Sequence, residues 1–198
     1  MLAWVAGFAI AYDAVKNRSA ATGIVLMGLC RGGAVLCGAV VVGTFALLNP
    51  FLWLAAGGAA VYTAIVTGLA LGESWRERPA SGTWLLPAVL LWLAVLAGGL
   101  LSSPDTRLWP GLILVLAAGE SAWAVQRATF GSLGIPPFIG QSIRIMITMQ
   151  CAWCAAAYEL HRAMAPASSP QHALVILLVA FAVLRASAEF ASQRYYGS

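Results

Sequence analysis

Charged side chains interrupt the long apolar segments of this sequence at five positions: Arg31, Glu120, Arg144, Arg185 and Glu189. A charge at the centre of a lipid bilayer costs at least ~2.5 kcal/mol on insertion scales, so each of these residues needs a partner, water or a function. All five lie in the halves of their segments that face the same side of the membrane. This clustering predicts a polar cavity that opens to one face, rather than a polar path across the whole bilayer.

Ion pairing among these charges is one interpretation. Arg185 and Glu189 are four residues apart, so they can pair locally on one helix. Glu120 can pair with Arg31 or Arg144 and thereby fasten two helices together. In this interpretation Glu120, Arg185 and Glu189 have a structural role.

Binding of a phosphate group is the competing interpretation. Arg31, with Lys16, Arg18 and Arg144, would gather positive charge near the ends of three helices, which suits a diphosphate whose apolar tail lies in the bilayer. The loop with Glu73 and Glu77 could supply carboxylate oxygen to Mg²⁺, which takes one or two carboxylates and completes its shell with water and phosphate. A solvated run of self-compensating charges is the alternative for this loop.

The elements that carry these residues are predicted to be transmembrane helices. The composition is 61% hydrophobic and only 9% charged, whereas soluble proteins average roughly 25% charged residues. About 20 helical residues cross a hydrocarbon core of about 30 Å. Segments of that order occupy residues 22–48, 51–71, 84–102, 108–126, 138–160 and 172–192. The expected fold is therefore all-α, a bundle of six full spans.

Residues 1–11 are also apolar, but about 11 helical residues rise only about 16 Å, which is half a bilayer. We expect an N-terminal half-helix here. A fragment, a mis-called start codon and a genuinely short helix all remain open as explanations.

The basic residues of the loops predict the orientation. One face carries Lys16, Arg18, Arg76, Arg78, Arg127 and Arg194, and the other carries Arg107 and Arg162. By the positive-inside rule the first face is cytoplasmic, with the N-terminus outside and the C-terminus in the cytosol. We expect an integral protein of the bacterial inner (plasma) membrane, in contact with membrane lipid. The net charge of +4 is too small and too scattered for a nucleic-acid partner.

Several motifs resemble a known family. They are Tyr12-Asp13-Ala14-Val15-Lys16-Asn17, Met27-Gly28-Leu29-Cys30-Arg31-Gly32, Thr67-Gly68-Leu69-Ala70-Leu71-Gly72-Glu73, Ile143-Arg144-Ile145 and Gln193-Arg194-Tyr195. The sequence resembles the UbiA superfamily of intramembrane aromatic prenyltransferases and is most similar to its EboC-like branch. The whole of residues 1–198, as a single transmembrane domain, resembles about the C-terminal two-thirds of such a protein.

The resemblance implies a helical bundle around a cavity that is open to the cytosol and the lipid. Family members transfer a polyprenyl group from its diphosphate to an aromatic or related hydrophobic acceptor, with Mg²⁺ as cofactor. Lys16 matches a lysine that would contact the diphosphate, and Tyr12 matches the tyrosine that precedes it. With Arg31 and Arg144 they form the predicted diphosphate site, and Glu73 is the predicted metal ligand.

The sequence also departs from the family pattern. The first Asp-rich motif has no counterpart here, and the second is replaced by Gly72-Glu73-Ser74-Trp75-Arg76-Glu77, which contains no aspartate. We therefore expect an incomplete or degenerate prenyltransferase whose catalytic residues are unknown. The alternative is a non-catalytic protein that binds or helps export a hydrophobic or lipid-linked precursor. A third hypothesis is a structural subunit whose glycines Gly28, Gly32 and Gly43 contact a partner chain.

Overall fold

All the described secondary structure is helical, which confirms the all-α prediction. The computed structural model describes residues 2–15, 19–42, 50–74, 83–101, 108–130, 134–164 and 173–196. The helices are α1 (Leu2–Val15), α2 (Ala20–Val42), α3 (Pro50–Ser74), α4 (Leu86–Leu101), α5 (Leu108–Thr129), α6 (Ile135–Met164) and α7 (Ala173–Tyr196). A 3₁₀ turn, Thr83–Leu85, leads into α4.

The first of two compact units, Met1–Leu86, has α2 between α1 and α3. A Cβ atom added at Gly28 would lie 2.7 Å from the carbonyl oxygen of Ala60, and one added at Gly32 would lie 2.9 Å from that of Ala56. Because glycine has no side chain, the backbones of α2 and α3 can approach this closely. Gly28 and Gly32 thus lie against α3 of the same chain, so the hypothesis that they contact a partner chain is wrong for these two residues. Gly43 lies outside the described residues.

In the second unit, Pro87–Ser198, α6 packs against both α5 and α7. The buried side chains of α6 include Phe138, Ile145 and Met149, and α5 contributes small buried residues such as Ala117. Pro136 and Pro137 lie in the first turn of α6, where a missing N–H costs no helical hydrogen bond. The helix continues to Met164, beyond the predicted end at residue 160.

Buried hydroxyl groups are satisfied within their own helices. The Thr63 hydroxyl donates to the carbonyl oxygen of Ala59 at 2.8 Å, and the Ser142 hydroxyl donates to that of Phe138 at 2.9 Å. Such bonds let a polar side chain enter an apolar interior without an unpaired donor.

Among the residues that the structure describes, two helices are long and apolar enough to cross a membrane, by length and composition alone. Their apolar windows are Ala20–Cys37 in α2 and Pro50–Leu71 in α3. Shorter apolar stretches are found at Val5–Val15 and Leu86–Val95. The first of these corresponds to the predicted N-terminal half-helix.

Candidate functional site

The two motifs predicted to bind a diphosphate lie on the helices α1 and α2, which pack together as an antiparallel pair. Near one end of this pair the Cys30 thiol makes a long contact, 4.0 Å, with the carbonyl oxygen of Val5, and Gly33 lies against the Val5 side chain. Near the other end Ser19 caps α2, because its hydroxyl accepts hydrogen bonds from the Thr22 amide at 3.4 Å and the Thr22 hydroxyl at 2.9 Å.

Arg31 and Tyr12 both belong to this helix pair. Arg31 is exposed on α2, between Cys30, which contacts α1, and Gly32, which contacts α3. Tyr12 is half-buried near the end of α1. Arg31 lies eleven residues beyond Ala20, so it is about 16 Å along α2 from the start of that helix. Lys16, the third predicted residue, lies outside the described residues.

A network of four charges joins the three packed helices of the second unit. At its first level, Arg185 of α7 forms an ion pair with Glu120 of α5. Nη2 of Arg185 donates a hydrogen bond to Oε1 of Glu120 at 2.7 Å. The same guanidinium donates through Nη1 to the hydroxyl of Thr148 on α6. Arg185 thus connects one residue from each of the other two helices.

The second level lies one helical turn away. Arg144 of α6 and Glu189 of α7 form an ion pair, with Nε and Oε2 3.0 Å apart. Arg144 is four residues before Thr148, and Glu189 is four residues after Arg185, so the two levels stack along antiparallel helices. We call these five residues, Glu120, Thr148, Arg144, Arg185 and Glu189, the charge ladder.

The partners within the charge ladder differ from those predicted. Arg185 pairs with Glu120 of another helix rather than with Glu189 four residues along its own. Glu120 in turn pairs with neither Arg31 nor Arg144. The reason is the packing of α6 between α5 and α7, which places opposite charges of different helices directly across from each other. A pair between helices also ties two elements together, whereas a local pair would not.

One oxygen of the ladder is incompletely satisfied. Oε2 of Glu120 is buried and has no hydrogen-bond partner among the described residues. An ionised carboxylate can accept about four hydrogen bonds, so its contact with Arg185 is the main compensation for the charge. The stability of this part of the bundle should therefore depend strongly on Arg185.

The predicted metal ligand, Glu73, lies in the last turn of α3, which extends to Ser74. The structure does not describe its side chain, and Glu77 lies outside the described residues. In the described part of the chain, no group of three or more His, Cys, Asp or Glu side chains comes together.

Two features of the structure were not anticipated from the sequence. Thr148 joins the ladder, and its position four residues after Arg144 is the signal that would have placed both on one helix face. Arg127 stacks on the ring of Trp123, with its guanidinium carbon 4.9 Å from the ring centroid. The four-residue spacing of an aromatic and a basic residue near a helix end would have indicated this contact.

No family model, curated protein or solved structure matches this chain. The similarity of the motifs to the UbiA superfamily therefore remains a prediction from the sequence.

Proposed function

We propose that this chain is an integral membrane protein of UbiA-like architecture that binds an amphiphile with a diphosphate head and a polyprenyl tail. The proposed membrane location is supported by large apolar side chains on the surface of the helices. Large apolar side chains are exposed along several helices, among them Val25, Leu29, Trp53, Val61, Val89, Trp92, Leu93, Leu112, Leu116, Val179, Val183 and Leu184. Soluble monomers rarely expose contiguous apolar patches larger than a few hundred Å², whereas lipid covers such surfaces readily.

The proposed topology can be tested with paired cysteines. In a variant without the native cysteines, Ser103→Cys marks a proposed external loop and Ser81→Cys marks a proposed cytoplasmic loop. We expect a membrane-impermeant maleimide to label Ser103→Cys in intact cells and Ser81→Cys only after permeabilisation. Equal labelling of the two positions in intact cells, or release of the chain from membranes by alkaline carbonate, would contradict this topology.

The ligand proposal rests on the surroundings of Arg31. This side chain is exposed on a helix that is apolar enough to span a membrane, and Val25 and Leu29 of the same helix are also exposed. A cation beside exposed apolar side chains fits an anionic head group with an apolar tail. Lys16 follows α1 directly in sequence and would supply a second positive charge.

Prenyl transfer is the first candidate activity, on the strength of the family resemblance. Mg²⁺ would neutralise the charge that develops on the leaving diphosphate, and Glu73 is the ligand predicted for it. Lys16, Arg31 and Tyr12 would bind and orient the diphosphate. The acceptor would be an aromatic or related hydrophobic molecule.

Binding without chemistry is the second candidate, and one contact favours it. Arg144, which the sequence assigned to the diphosphate, is engaged in the ion pair with Glu189. The sequence also lacks the Asp-rich motifs. A protein with these features could hold or help export a hydrophobic or lipid-linked precursor.

Titration with geranylgeranyl diphosphate, in detergent and with or without Mg²⁺, tests the proposal. We expect Arg31→Ala and Lys16→Ala each to weaken binding at least tenfold, or about 1.4 kcal/mol, because each removes a positive charge from the diphosphate. Arg162→Ala, which removes a charge at the opposite proposed face, is the matched control and should leave the affinity unchanged.

The metal dependence distinguishes the two candidates. Binding that requires Mg²⁺ would support the enzyme, and binding that is independent of Mg²⁺ would support the non-catalytic protein. An absence of binding in both conditions, or equal affinities for Arg31→Ala and the unmodified chain, would reject the diphosphate site.

A further inference from the structure

The C-terminal end of α5 presents an aromatic, a cationic and a second aromatic side chain on one face. Trp123, Arg127 and Phe130 are spaced by four and three residues, so they follow one another along the helix surface. The Trp123 side chain is 54% exposed and that of Phe130 is 80% exposed. Exposed aromatic rings near a basic residue are typical of helix ends at a membrane–water interface.

The stack of Arg127 on Trp123 holds the guanidinium beside the indole ring. Their separation of 4.9 Å lies within the range of cation–π attraction. A guanidinium carries five N–H donors, so Arg127 can keep its contact with Trp123 and still donate a hydrogen bond to a phosphate oxygen.

Toward the start of α5 the same face is purely apolar. Leu112 and Leu116 are exposed there, eleven and seven residues before Trp123. From Leu112 to Arg127 the helix rises about 22 Å. The face therefore changes from aliphatic to aromatic and then to cationic along its length, as the environment of a lipid molecule changes from acyl chain to head group.

We infer that this end of α5 binds the head group of an anionic phospholipid at the membrane–water interface. Arg127 contacts the phosphate, Trp123 lies at the level of the glycerol backbone, and Leu116 contacts the acyl chain. The charge of Arg127 complements an anionic lipid, and the proposed orientation puts this end at the cytoplasmic leaflet, which attracts basic residues. The inference rests on the membrane location in the proposed function but not on the diphosphate site.

The test compares lipids retained by the full chain after extraction from bilayers of equal parts phosphatidylglycerol and phosphatidylcholine. Native mass spectrometry counts the bound lipids. We expect Arg127→Gln to lower the ratio of retained phosphatidylglycerol to phosphatidylcholine about fivefold, since a basic residue near an anionic membrane surface contributes about 1 kcal/mol. Arg127→Lys should keep most of the preference, because it keeps the charge.

Matched controls separate the ring stack from a general loss of apolar surface. Trp123→Leu should lower the preference, whereas Trp92→Leu, at an exposed tryptophan of α4, should leave it unchanged. An unchanged ratio in Arg127→Gln would overturn the inference. So would release of phosphatidylglycerol by soluble glycerol phosphate at equal concentration, because the site would then recognise a free anion rather than a lipid.

A failure of this inference can be told apart from a failure of the proposed function. If the chain enters the bilayer but all variants retain the same lipids, only the phospholipid site is rejected. A chain that does not enter the bilayer at all would reject the membrane location and the phospholipid site together.

Discussion

Arg185→Ala should lower the free energy of unfolding by about 3 kcal/mol, which would be among the largest effects of any single substitution in the second unit. The change leaves Glu120 without its cation while Oε2 remains buried, and it also removes the contact with Thr148. Removal of one partner from a buried ion pair costs about 3–5 kcal/mol. The lower end applies because the side chains of Glu120 and Arg185 are each 34% exposed.

A double-mutant cycle tests the cause of this loss. Glu120→Leu combined with Arg185→Leu removes both charges. The free energy of unfolding of this double variant should therefore fall by at least about 1 kcal/mol less than the sum of the losses in the two single variants. Steric trapping in bicelles measures the free energy of unfolding. Strictly additive losses would show that Glu120 and Arg185 do not stabilise one another.

Gly28→Val should lower the free energy of unfolding by about 3 kcal/mol, through the contact between α2 and α3. Its Cβ would lie 2.7 Å from the carbonyl oxygen of Ala60 and 3.3 Å from the Cβ of Ala64. Overpacking costs about 1–3 kcal/mol, and the upper end applies where the contact is with backbone, which cannot rotate away.

Gly57→Val is the matched control on α3. An added Cβ at Gly57 has no heavy atom within 4 Å, so the substitution should change the free energy of unfolding by less than about 1 kcal/mol. Thermal unfolding in detergent would compare the two variants. Equal stabilities of Gly28→Val and Gly57→Val would contradict close packing of α2 on α3.

The helices could be predicted from the sequence because most of their residues belong to long apolar segments. The segments at 51–71 and 108–126 coincide closely with α3 and α5. The ends of helices were less predictable. The predicted segment at 138–160, for example, stops four residues before the end of α6, which continues to Met164.

The contacts between helices could not be predicted from the sequence. The spacing of Arg185 and Glu189 permits a local pair, and nothing in one helix reveals which other helix will face it. Gly28 and Gly32 were correctly expected to allow close approach, but sequence alone could not show that the neighbour is α3 of the same chain. The packing of α1 and α3 against α2, and of α5 and α7 against α6, determines which residues meet.

The charge ladder also determines how far α7 can slide along α6. A shift of α7 by one turn in one direction would place Arg185 opposite Arg144, so that two cations face each other. A shift in the other direction would place Arg185 opposite Ala152 and leave Arg144 without Glu189. Apolar side chains tolerate such a displacement, because one aliphatic contact resembles another, but a charge that loses its partner in apolar surroundings is destabilising. Two arginines and two glutamates thus select a single register for helices whose apolar surfaces alone would permit several.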